Sequence, residues 1–160
     1  MAMLFSKSFG YAVRGVLYIA LMQDEKHYVQ VEEIAEKLSV PRHFVGKILK
    51  RLVKEGILTS SKGPSGGFSI NDSTLSSPLG RFVEVLDGMS DLKNCVLRMD
   101  TCNAENPCPL HYQLEETRKR LQSILTETTI RDLLGTDKSD FIKSIATAIE
   151  GPVPSAGDIY

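Results

Sequence analysis

No apolar run in the 160-residue chain approaches the ~18 residues needed to cross a bilayer. Internal repeats and low-complexity blocks are absent as well. So are a phosphate-binding glycine loop, a catalytic triad and a second cofactor motif, and enzymatic chemistry is therefore not expected. Residues 11–22 are apolar, but Arg14 interrupts them and Gln23-Asp24-Glu25-Lys26 follows without a small-residue cleavage site. An amphipathic first helix is expected there in place of a signal peptide, and with it a cytoplasmic protein. Cysteine is scarce, with three in the chain. That odd number argues against a framework of paired disulfides and for metal binding or redox work in a reducing compartment.

Apolar residues at 42% and charged residues at 24% are ordinary for a globular protein. The net charge of −1 conceals an asymmetry: residues 1–70 carry ten Lys/Arg against six Asp/Glu, and residues 71–160 carry nine against fourteen. Between Arg42 and Lys62 stand six basic residues and a single acid, Glu55. Such a local field attracts polyanions, although many charge runs are no more than solvated helix faces.

The spacing of Tyr11, Ala12, Val16, Ile19 and Ala20 predicts a helix over 7–23. Val31, Ile34, Ala35 and Leu38 predict a short second helix with Glu32 and Glu33 in its first turn, where the helix dipole favours acids. A tight turn leads to a third helix, with Pro41 at its first position and Gly56 at its stop. One face is Phe44, Val45, Ile48, Leu49, Leu52 and Val53, and the other carries Arg42, His43, Lys47, Lys50, Arg51 and Lys54. Residues 57–59 and 67–70 read as strands of a hairpin with the tip Lys62-Gly-Pro-Ser-Gly66. A fourth helix is expected over 77–88. A long helix then runs from about 109 to 135, with Leu114, Leu121, Leu125 and Leu133 as its apolar positions. One more short helix is expected over 139–149.

This order predicts a mainly α protein with a small β-hairpin wing: a winged helix-turn-helix followed by a long C-terminal helix. It divides into a DNA-binding unit over 1–75, a connecting helix and cysteine loop over 76–108, a long helix with a C-terminal helix over 109–149, and a tail over 150–160. A helix fits the major groove, so residues near its N-terminal end reach base edges while later cations meet phosphates. Arg42 and His43 are expected near the bases, Lys47 one turn on, Lys50, Arg51 and Lys54 on the backbone, and Lys62 on the wing. Pro41 and Ser65 complete the expected contact set.

All three cysteines fall in one segment, as Cys95-x6-Cys102-x5-Cys108 followed by Pro-Leu-His111. Structural zinc sites pair their ligands more tightly. The wide gaps suit an iron–sulfur cluster, in which histidine can replace one thiolate. Zinc and metal-free thiol chemistry are the alternatives. An electron carrier would explain the cysteines but would leave the basic helix and wing without a purpose.

Together, "SKSFGYAVRGVLYIAL", "SSKGPSGGF", the three-cysteine loop and the long helix resemble the Rrf2 family of bacterial transcription regulators over residues 3 to about 135. The resemblance implies a homodimer joined through the long helix, two wings on a palindromic double-stranded operator, and a cluster held by three cysteines per subunit. The iron–sulfur-sensing members resemble this chain more than the nitric-oxide-sensing members do. The latter place an aspartate ligand where Gly10 stands here, whereas the former place a histidine three residues after the third cysteine, as His111 does. The resemblance therefore implies a 2Fe–2S cluster, in preference to 4Fe–4S, on Cys95, Cys102, Cys108 and His111. In those members the first cysteine gap is x5, against x6 here.

Overall fold

The structure, a computed structural model, describes residues 5–88, 97 and 103–135. Helices α1 (Lys7–Met22), α2 (Val31–Leu38) and α3 (Arg42–Lys54) pack on one another, and strands β1 (Thr59–Ser61) and β2 (Gly67–Ser69) form an antiparallel hairpin. The one-turn helix α4 (Asp72–Leu75) leads to α5 (Leu79–Leu86). After the cysteine segment come α6 (His111–Glu127) and α7 (Ile130–Leu134).

The apolar periodicities of the sequence converge on one core. Val16, Leu17 and Ile19 of α1 meet Ile34 and Leu38 of α2 and Val45, Leu49 and Leu52 of α3. Val29, Ile57, Leu58, Phe68 and Ile70 close it beneath the wing, while Phe82 and Ile130 close it from α5 and α7. Burying side chains of this size stabilises by about 1.5–3 kcal/mol each before chain entropy is charged against it.

Several boundaries differ from the sequence-based expectation. Pro41 is the N-cap of α3 and not its first residue, leaving Arg42 at the head of the helix. The strands begin two residues later on the first side, because Ile57 and Leu58 turn into the core. The long helix expected over 109–135 is two helices. Its chain extends at Thr128 (ψ 120°), and Thr129 then caps α7 through a reciprocal capping box with Asp132. The break is held by α5's entry: Leu79 N–H donates to Thr128 O (2.9 Å) and Ile130 N–H to Ser77 O (3.2 Å). Lateral bonds to another segment have replaced helical ones, which a helical period in the sequence does not reveal. The expected helix over 139–149 and the tail over 150–160 lie outside the described residues.

Candidate nucleic-acid interface and cysteine segment

Helix α3 is amphipathic in the expected sense. Val45, Ile48, Leu49 and Leu52 are buried, whereas Arg42, His43, Lys47, Lys50, Arg51 and Lys54 are all exposed. The turn before it is tight because Ser39 takes a left-handed conformation (φ 48°), which ends α2 and lets Val40 N–H return to Ala35 O at 3.0 Å. Buried Val40 then pins the turn to the core.

The exposed set divides into two groups. Arg42, His43, Lys47 and Lys50 rim a cleft of about 600 Å³ whose remaining wall is Val31, Gly46 and Phe68. Arg51 and Lys54 lie in the last turn of α3, where cations also complement the helix dipole. Lys62 and Ser65 stand exposed on the wing tip. The tip is shaped by glycine: Gly63 has φ +103°, and Gly66 N–H closes the turn onto Gly63 O at 3.0 Å.

The wing is fastened to the helix-turn-helix. Val29 and Phe68 exchange backbone hydrogen bonds of 2.9 and 2.8 Å. Gly67 permits this approach, since a Cβ there would lie 2.4 Å from Val29 O. Gln30, the N-cap of α2, donates from Nε2 to Pro64 O at the wing tip (2.8 Å).

The adjacent acids Glu32 and Glu33 take opposite directions. Glu33 accepts from Tyr18 Oη and Lys26 Nζ, both at 2.6 Å, tying α2 to α1 and to the loop after it. Burial pushes its carboxyl up, but the Lys26 and Tyr18 hydrogen bonds outweigh that and hold it below the ordinary glutamate range. Tyr18 is raised above the ordinary tyrosine range, first by burial and then by Glu33. Glu32 points outward and pairs with Arg42 Nη2 at 2.6 Å. Sequence reading took both acids only as partners of the helix dipole; the separation of their roles has no signal in the sequence.

Of the four expected cluster ligands, Cys95 and Cys102 lie outside the described residues. Cys108 is a free, buried thiol, and His111 opens α6 with its N–H donated to Cys108 O at 2.9 Å. The His111 side chain is 11% exposed, with Nε2 3.8 Å from Glu115 Oε2. Between Cys102 and Cys108, Asn103 Oδ1 accepts from Glu105 N and Asn106 N (3.0 and 2.8 Å), folding the segment back on itself. Among the described residues no three metal-ligating side chains are gathered. The two described donors do fit a cluster chemically: a soft thiolate source and an imidazole, one turn apart and shielded from bulk water. The helix before the cysteine segment is anchored too. The Asp87 carboxylate accepts from Ser6 N (2.8 Å) and from Ser6 Oγ, fixing the end of α5 to the N-cap of α1. Arg81 Nη2 of α5 donates to Glu55 O at the C-terminal end of α3 (2.8 Å).

A helix-turn-helix with a glycine-built wing beside an exposed basic helix defines the class of winged-helix DNA-binding proteins. Residues 5–136 match the Rrf2 family, described as iron-dependent transcriptional regulators, and the chain belongs to that family. It is 34% identical over 138 residues to an HTH-type transcriptional regulator of Aquifex aeolicus (strain VF5), covering 85% of this chain and 94% of that protein. It is 26% identical to the transcriptional regulator IscR of Vibrio atlanticus (strain LGP32), over 78% of this chain and 70% of the relative. Among solved structures, CymR, the global cysteine regulator of B. subtilis, matches with a TM-score of 0.68 at 19% identity, covering 86% of this chain and all of that one. IscR of T. potens matches at 0.61 and 20% identity, over 92% and 91% of the two chains. At these identities the structural matches speak for the fold alone. Among the described residues no helix is long and apolar enough to cross a membrane.

Proposed function

We propose that this transcription regulator acts in the cytoplasm as a homodimer, and that an iron–sulfur cluster on Cys95, Cys102, Cys108 and His111 sets its affinity for a palindromic operator. The observation that carries the DNA-binding part is the shared cleft: α3 turns Arg42, His43, Lys47 and Lys50 to its rim, and Gln30 and Phe68 hold the wing beside them. In this reading Arg42 and His43 meet base edges with Lys47 one turn on, Lys50, Arg51 and Lys62 meet the backbone, Ser65 lies on the wing, and Pro41 caps the helix at the groove. Two copies would set two such helices into successive major grooves about 34–36 Å apart.

The cysteine segment joins α5, which touches α3 through Arg81, to α6, which packs on α5. Cys108 is buried at its downstream end, where His111 opens α6, and Asp87 before its upstream end is tied to α1. A bound cluster, 2Fe–2S in this reading, supplies a redox- and ligand-reactive centre. Cluster binding would bias the placement of α5 and α6, and a coupling of ~1–3 kcal/mol changes DNA affinity several-fold to a hundred-fold.

The test is anaerobic purification with iron and acid-labile sulfide assays, followed by DNA-binding titrations before and after cluster removal. Iron and sulfide in equal number, with a changed affinity for a duplex selected from a random library, is the expected result. Colourless zinc protein would overturn the cluster assignment. A peroxide-dependent switch in iron-free protein would assign sensing to the thiols alone.

A further inference from the structure

Glu32 follows Val31 of the cleft wall and pairs with Arg42 of a rim otherwise made by His43, Lys47 and Lys50. If the cleft's purpose were only to attract a polyanion, an acid there would be a liability, because it repels the phosphates its neighbours attract. Its geometry gives it a different use. Arg42 is the first residue of α3, and its side chain is exposed. A long arginine in that position loses much rotamer freedom when it engages a base edge. The Glu32 carboxylate pairs with the guanidinium through Nη2 alone, at 2.6 Å, which leaves Nε and Nη1 to face a ligand.

The backbone that carries the Glu32 carboxylate is held on both sides. Glu32 stands in the first turn of α2, flanked by Gln30, which holds the wing tip through Pro64, and by Glu33, which is tied to Tyr18 and Lys26. That one turn therefore sets the position of the wing, of α1 and of Arg42 together.

Taking α3 as the recognition helix, we propose that Glu32 is a positioning residue for sequence discrimination: it holds the Arg42 guanidinium in the orientation that reads one base pair, guanine being the base whose O6 and N7 acceptors match a two-pronged donor. Glu32 weakens binding to DNA in general and sharpens the preference among sequences. The two effects have opposite signs, which separates this role from that of an ordinary surface charge.

The experiment uses the full chain. A duplex is selected by the wild-type protein from a random library, and its affinity is measured beside that of a scrambled duplex of equal length, with melting curves for every variant. Glu32→Ala should bind the scrambled duplex more tightly, and the ratio of selected to scrambled affinity should fall by about three- to tenfold, a fraction of a full base-edge contact. Glu32→Gln, which keeps an acceptor, should fall between. In an Arg42→Ala background, Glu32→Ala should leave the ratio unchanged. If Glu32→Ala tightens both duplexes by the same factor, Glu32 is only a surface charge and the inference fails. If wild-type protein selects no duplex and binds none in a salt-dependent way, it is the DNA-binding reading that fails instead.

Discussion

Lys62 shows what one exposed side chain on the wing tip can contribute. If it meets a phosphate, Lys62→Ala should weaken binding to all duplexes alike and lower the salt slope by about one unit. Unchanged affinity and slope in a salt titration would remove the wing from the interface. Gly67 has the opposite kind of role: it offers no side chain to a ligand, and φ +148° and a Cβ position 2.4 Å from Val29 O leave no room for one. Gly67→Ala should separate the wing from the strand-like segment at Val29 and cost about 1–3 kcal/mol in urea unfolding. Glu33 carries a pH signature. Its folded-state value lies below the ordinary one, so the stability it contributes is present above pH 4.5 and is lost as pH falls through the lower, folded value. The double variant Tyr18→Phe, Lys26→Met should accordingly be less stable at neutral pH and should lose less stability than wild type on acidification below pH 4.5. Parallel urea curves across that range would show the network to be without effect.

At the scale of the element, the break between α6 and α7 changes what the apolar positions of the C-terminal region mean. Leu125 is 3% exposed and packs within its own chain near Gly80 of α5, where a Cβ would lie 3.3 Å from Leu125 O. Leu133 belongs to α7 and packs against the core. The exposed apolar residues on α6 are Tyr112 and Ile124, at 64% and 50%. If two copies join along α6, Ile124→Glu should give monomers at micromolar concentration in sedimentation without loss of the melting transition, because the charge enters only the shared face. Leu125→Glu should instead unfold the chain. A stable Ile124→Glu dimer would place the interface elsewhere. The capping box of α7 offers a smaller test: Thr129→Ala removes a cap worth about 1 kcal/mol, readable as a lowered urea midpoint.

For the molecule as a whole, the segment that carries the cysteines follows a helix tied to several elements, through Asp87 to α1's cap and through Arg81 to α3's end. If the proposed cluster is present, Cys95→Ala, Cys102→Ala and Cys108→Ala should each abolish or severely weaken iron retention, since each removes a thiolate ligand. His111→Ala should be milder. His111→Cys should keep iron and lower the reduction potential, because a thiolate adds negative charge. Iron content and potentiometry of anaerobic protein decide both outcomes.

The sequence by itself determined what is local. Helical periods placed α1, α2 and α3, the glycines of "SSKGPSGGF" placed the wing, and the cation spacing placed the exposed basic face of α3. These follow from interactions within a few residues, which a linear reading can count. Tertiary structure alone decided which periodic positions serve as one element, since Ser77 and Leu79 interrupt a continuous helical pattern at Thr128 with hydrogen bonds from far along the chain. It also decided the fate of Glu32 and Glu33, adjacent and chemically identical. One lies over α1, where Tyr18 and Lys26 bind it, and the other lies over the head of α3, where Arg42 does. The partners are 7 to 15 residues distant, beyond the reach of any single helical period, and only packing brings them within 2.6 Å.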